Sequence, residues 1–209
     1  MAHDNASSVG GLAIRLTRLD ANGNLVVGPS ASYVTKKFVS LGYTPEYEDG
    51  EEFTTKAADG TVCASWKTPR TLKRVTLSIA LCDPDPEFTQ KISGGQLYTA
   101  AGLSKGWAAP EVGVDPTPNG VAIEVWSRAV KNGTSTSTDP YWHWLVPKAF
   151  LRQTGDRVIQ EGVLATEFSG YGQGNSSFVS PAAPLWPFIT DRPYAYVRSA
   201  TAPATVGFA

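Results

Sequence analysis

Leu81-Cys82-Asp83-Pro84-Asp85-Pro86-Glu87-Phe88 places three carboxylates at every second position, with prolines between them and a thiol just upstream. Converging carboxylates could hold a hard cation or work as an acid–base pair, whereas a capping carboxylate only starts a helix. A calcium loop needs a glycine at its centre and a bidentate glutamate at its end, and this spacing matches neither requirement. The order of residues instead spells a helix start. Asp85 stands at N-cap, where its side chain accepts a backbone N–H. Pro86 takes the first helical position, where its missing donor is no loss, and Glu87 suits the positive end of the helix dipole. About two turns follow, with Phe88 and Ile92 on one face, Lys91 at the negative end and Gly94-Gly95 as the stop. These acids read as structural.

Other chemistry is sparse. Of two histidines, His3 lies in a terminus expected to be mobile and His143 lies inside Tyr141-Trp142-His143-Trp144. With no C-x-x-C pair, a zinc centre is not expected. The nucleophile motif G-x-S-x-G is absent, and glycine-rich Ser169–Asn175 lacks the strand-to-helix setting that cradles a phosphate. Two carboxylates can meet in a cleft as a glycosidase pair. Glu124 and Glu167, each mid-strand, are the candidates, and polar alternation on a solvated face accounts for both equally well. Trp142 and Trp144 share one strand face, with Tyr141 and His143 on the other. Such aromatics either offer a sugar platform or fill a core. No catalytic, cofactor-binding or metal-ligating residue is assigned.

The elements that must position these residues are mostly strands. The 209-residue chain carries 20 glycines, 15 prolines and one methionine, a composition of short strands and turns, and it is long enough for a sizeable core. A net charge of −1 gives no basic footprint for gripping nucleic acid. The polar N-terminus has no apolar signal core, and no run approaches the ~18 apolar residues of a membrane span. Synthesis in a cytosol is therefore expected, with Cys63 and Cys82 as buried thiols.

Residues 12–19 alternate as a half-buried strand, with Leu12, Ile14 and Leu16 on one face and Arg15 and Thr17 on the other. Asp20–Asn24 is a turn with an Asn-Gly, and Leu25-Val26-Val27 would return as a hairpin. A strand over 37–44 should end at Pro45. Five carboxylates then fall between Glu46 and Glu52, reading as an exposed acidic loop or long hairpin that projects from the body. Residues 72–82 are the clearest strand, with Val75, Leu77, Ile79 and Leu81 on one face. Further strands are expected over 120–128, 141–151 and 163–168, with a polar hairpin connection at 131–140. The proline-punctuated end from Pro181 should lie extended over the body.

The order of these pieces carries a resemblance. It runs through Asp59-Gly60-Thr61-Val62-Cys63, Thr71–Phe88, the short helix ending Gly94-Gly95, Ala108–Ser127, Asp139–Pro147 and Asp191–Arg198. Over about residues 12–198 the chain resembles the major tail protein, the tail tube subunit, of long-tailed phages infecting actinobacteria. The resemblance implies a mainly β, sandwich- or barrel-like domain over 12–198 with one flanking helix, a flexible N-terminal arm at 1–11 and an extended tail at 199–209. It implies a structural protein and not an enzyme. Homo-oligomeric, hexameric rings would stack into the tube, with the tape measure protein and tail-end proteins as partners. DNA would pass through the lumen without specific binding, and the subunit would be assembled in the host cytoplasm and reside in the virion tail. The family's inter-ring contact loop corresponds here to Glu46, Glu48, Asp49, Gly50, Glu51, Glu52, Phe53 and Lys56. A minor tail or tail-terminator protein is the near alternative, and a carbohydrate-binding module using Trp142 and Trp144 the distant one.

Overall fold

The computed structural model describes residues 5–28, 30–155, 166–178 and 189–205. His3, residues 163–165 and the proline-rich stretch 181–188 lie outside them. Among the described residues the chain is mainly β, with one short helix and a large antiparallel sheet. In order the elements are β1 (Ser7–Arg18), β2 (Ser32–Thr35), β3 (Phe38–Glu48), β4 (Glu52–Lys56), β5 (Val62–Lys67), β6 (Thr71–Leu81), α1 (Pro86–Ser93), β7 (Gln96–Ala100) and β8 (Leu103–Ala108). β9 (Val121–Lys131), β10 (Thr134–Ser135), β11 (Tyr141–Thr154), β12 (Thr166–Gln173) and β13 (Ala195–Ser199) complete it.

The main sheet runs β2-β1-β9-β11-β12-β6-β3, with β10 on β9 and β13 on β11. Its two outer strands, β2 and β3, are joined by only Lys36 and Lys37. Three Cα steps reach about 11 Å, so the edges must come together and the sheet must roll. β11 makes the turn. Its first half pairs with β9 and β13, a register shift falls between Val146 and Ala149, and its second half pairs with β12. A bulge of this kind bends a strand and raises its twist. Inside the roll, Ile14 and Leu16 of β1 and Ile123 and Val125 of β9 pack with Val75, Leu77, Ile79 and Leu81 of β6 and Phe168 of β12. The result is the sandwich-like, barrel-like architecture expected.

The helix forms as the sequence dictates. Asp85 Oδ1 accepts from the Phe88 amide at 3.0 Å, Phe88 and Ile92 enter the core, and Gly94 closes the helix at φ 67°. Added at Gly94, a Cβ would strike Pro116 as well as being strained.

Several expectations change. β1 begins at Ser7, inside the stretch expected as a flexible arm, and pairs with Val130 there. It is not half-buried, because Arg15 and Thr17 are also enclosed. A second apolar cluster, built from Leu19, Ala122, Leu145, Phe178, Ile189 and Ala195, covers the other face of the β9–β11 sheet. The Asp20–Asn24 turn forms, with Asp20 accepting from the Asn22 and Asn24 amides, and the return is short: Leu19 and Leu25 bridge, and the Val26 amide donates to Arg18 O at 3.0 Å. β2 takes the place beside β1. Pro45 does not end its strand: among the described residues β3 runs on to Glu48 as an edge strand pairing with β6 alone, where a missing N–H costs no ladder bond. Cys63 and Cys82 are free and exposed, not buried. Cys63 sits in a two-stranded hairpin whose residues are all exposed, and Cys82 follows inward-facing Leu81, so alternation turns it outward.

Candidate functional site

Beyond Glu48 and Thr71 the β3–β6 ladder continues as a neck and then as the β4–β5 hairpin. At the neck the Thr68 amide donates to Glu51 O at 3.0 Å. Gly50 lies so close that an added Cβ would come within 1.9 Å of Thr68 O; only a glycine lets the strands approach there. Glu52 then faces Lys67, Phe53 faces Trp66, Thr54 faces Ser65 and Thr55 faces Ala64, before a bulge at Cys63. Asp59 closes the tip, accepting from the Thr61 amide at 2.9 Å and its hydroxyl at 2.7 Å. From Asp49 to Ala57 the extended chain covers roughly 30 Å.

Every residue of β4 and β5 is exposed, so no core supports the hairpin. A lone two-stranded hairpin is marginal in water, and this one is held by pairs across its strands. The Phe53 and Trp66 rings stack with centroids 6.1 Å apart, yet each residue is 58% exposed and Val62 is 57% exposed. The acidic run is matched base for base: Glu52 with Lys67 at 2.9 Å, Asp49 with Arg70, Glu48 with Lys73 at 3.7 Å and Glu46 with Arg74. The Thr76 hydroxyl and then Arg74 hold the Glu46 carboxyl below its usual range, and Arg70 does the same for Asp49. The expected acidic surface is therefore largely neutralised. Glu51 is the one member of the run with no ion pair among the described residues. The paired bases were missed in the sequence, although counting back from Trp66 through a two-strand register would have found them.

The opening carboxylates diverge. Asp85 caps α1 and accepts from the Tyr33 hydroxyl at 2.8 Å, Glu87 accepts from the Ser104 hydroxyl, and Asp83 lies 3.7 Å from Lys37 in solvent. Among the described residues no group of three or more His, Cys, Asp or Glu side chains could hold a metal ion.

Glu124 and Glu167 are not brought together. Glu167 is exposed on β12, while Glu124 is buried on β9 and contacts Arg15 at 2.6 Å and the His143 ring at 3.2 Å. A solvated face was the wrong surrounding for Glu124, because the second apolar cluster extends over that side of the sheet. Trp142 and Trp144 share a face as expected, but their rings tilt by 38° and both indole N–H groups donate into the protein, to Ala6 O and Ser127 Oγ.

No model of a known protein family matches the chain, and no curated protein matches it in sequence at a significant level. No helix among the described residues is long and apolar enough to cross a membrane.

Proposed function

We propose that the chain is a structural subunit that polymerises as stacked, hexameric rings into the tail tube of a long-tailed phage, the conduit for genome delivery. The observation that carries this reading is the β4–β5 hairpin, an ordered arm that presents the Phe53–Trp66 stack and Val62 to solvent, with no layer over them among the described residues. Exposed apolar surface on a projecting arm marks a contact surface.

The occupant is a second copy. The hairpin's charges largely cancel across its strands, and the whole chain carries a net charge of −1, so copies repel one another little. An arm that grips a different surface of the next copy makes a heterologous contact, which repeats without closing and so builds a filament. Among the described residues β2 and β3 each have one hydrogen-bonded neighbour, leaving edge groups that side-by-side copies can pair. Tape measure and tail-end proteins are the further partners of such a tube. DNA would move through it without specific binding, consistent with the absence of a strong positive balance.

Negative-stain electron microscopy of the purified protein, dilute and then concentrated, tests the reading. Rings or hollow tubes of uniform width are expected. Compact monomers at every concentration, together with saturable binding in a glycan screen, would replace it with the carbohydrate-binding alternative.

A further inference from the structure

Arg18, the last residue of β1, and Lys91, in the last turn of α1, meet at the C-terminal end of the helix. Lys91 is 7% exposed, and its ammonium donates to Ser30 O and, at 3.4 Å, to Gln90 Oε1. Arg18 is half-buried and reaches Gln90 O with one guanidinium nitrogen at 3.4 Å, near the outer limit for such a bond. Burial holds both groups below their ordinary pKa values, and the neighbouring Arg18 charge lowers Lys91 further. Neither forms an ion pair with a carboxylate among the described residues. Glu87 acts on Lys91 as the weakest of three influences, and its carboxylate is engaged by Ser104.

Two neighbouring cations, Lys91 buried and Arg18 partly so, call for negative charge. The helix C-terminus supplies roughly half an elementary charge, which leaves most of the positive charge uncompensated. Beside the pair opens a cavity of about 180 Å³, lined by Arg18, Lys91, Pro116, Thr117, Asn119 and Gly120.

We propose that this cavity is an oxyanion site that holds a phosphate group between Arg18 and Lys91. A guanidinium fork matches a tetrahedral oxyanion through two parallel bonds, and the ammonium adds a point charge. Asn119 brings a neutral amide donor to the wall. The phosphate can be a free ion or part of a phosphodiester, and nothing in the site depends on the tail tube reading.

The test is a titration of the full chain with sodium phosphate against sodium chloride at equal ionic strength, followed by Tm and by the backbone amide signals of Thr117, Asn119 and Gly120. A saturable response is expected, with Tm rising as the logarithm of phosphate concentration. Arg18→Gln, at a partly exposed position, should weaken it at least tenfold with an unchanged circular dichroism spectrum, while Lys36→Gln, at an exposed lysine, should leave it unchanged. Lys91→Gln should act like Arg18→Gln if it folds. A response that is not saturable, or that is equal in Arg18→Gln and wild type, overturns the proposal. A short single-stranded oligonucleotide separates the sources: tighter, Arg18-dependent binding than free phosphate assigns a phosphodiester, and Arg18-dependent binding of free phosphate alone assigns the ion.

Discussion

Arg15 lies directly opposite Glu124 on neighbouring strands, with its Nε 2.6 Å from Glu124 Oε2 and both residues buried. The other carboxylate oxygen lies 3.2 Å from His143 Nε2. The His143 ring stacks on Trp126 with centroids 4.2 Å apart, and the Arg15 guanidinium sits over that same indole. One carboxylate thus ties β1, β9 and β11 in register, because a one-residue slip would turn these side chains to the opposite face. Replacing Glu124 with Ala takes the carboxylate from a buried guanidinium and should cost about 3–5 kcal/mol in urea denaturation. The double variant Arg15→Leu/Glu124→Leu should cost much less than the single changes summed. A loss under about 1 kcal/mol for Glu124→Ala would show that the pair does not hold the strands.

Phe53 and Trp66 stack on each other but remain more than half exposed. Changing both to Ser should therefore lower the stability of the body by no more than about 1 kcal/mol, the scale of one aromatic pair. If the hairpin is the contact between copies, the same change should abolish tubes in electron micrographs and shift sedimentation toward the smallest species. Tubes that persist in the double variant would move the contact elsewhere.

Gly50→Ala tests the neck of that arm. A Cβ there meets the Thr68 backbone oxygen, which belongs to the opposing strand and cannot turn aside. The ladder should open at the Thr68–Glu51 bond, seen as faster amide exchange at Thr68 and through β4 and β5, while β6 keeps its protection. Unchanged exchange at Thr68 would mean that the neck yields without opening.

What could be read in the sequence was what local residues decide. Asp85-Pro86-Glu87 starts a helix by its own hydrogen bonds, and Val75, Leu77, Ile79 and Leu81 mark one face of a strand wherever that strand lies. The projecting hairpin was visible because Asp59-Gly60 is a turn and few residues around Glu46–Glu52 can be buried. Other features depend on distant chain. Arg15 and Glu124 look like the wet side of two strands until Leu145, Ile189 and Ala195 gather over that side of the sheet. Pro45 stops a strand only if its nitrogen must donate, and that depends on β3 being an edge. Cys63 looks buried by type, yet every residue of the strand that carries it is exposed.

The contact between Tyr33 and Asp85 makes a prediction at alkaline pH. Burial first, and then the hydrogen bond to Asp85, push the Tyr33 phenol well above its ordinary value. Tyr43 is also pushed up, by burial and then by Tyr194 and Tyr196. In the unfolded chain a tyrosine loses its proton near pH 10, while folded Tyr33 keeps its proton to higher pH. Above that point the unfolded state binds fewer protons than the folded one, so stability falls as pH rises. The contribution is fully present below about pH 10 and is lost progressively up to the raised folded value. Tyr33→Phe removes one of the two titrating groups and also the hydrogen bond. The variant should therefore be less stable than wild type at pH 8, and the gap should narrow between pH 10 and 11.5, read from urea midpoints at each pH. Asp85→Ala should lower stability at neutral pH by about 1 kcal/mol through the lost cap and flatten the same alkaline slope. A gap between Tyr33→Phe and wild type that stays constant across that range would mean that Tyr33 ionises alike in the folded and unfolded chains.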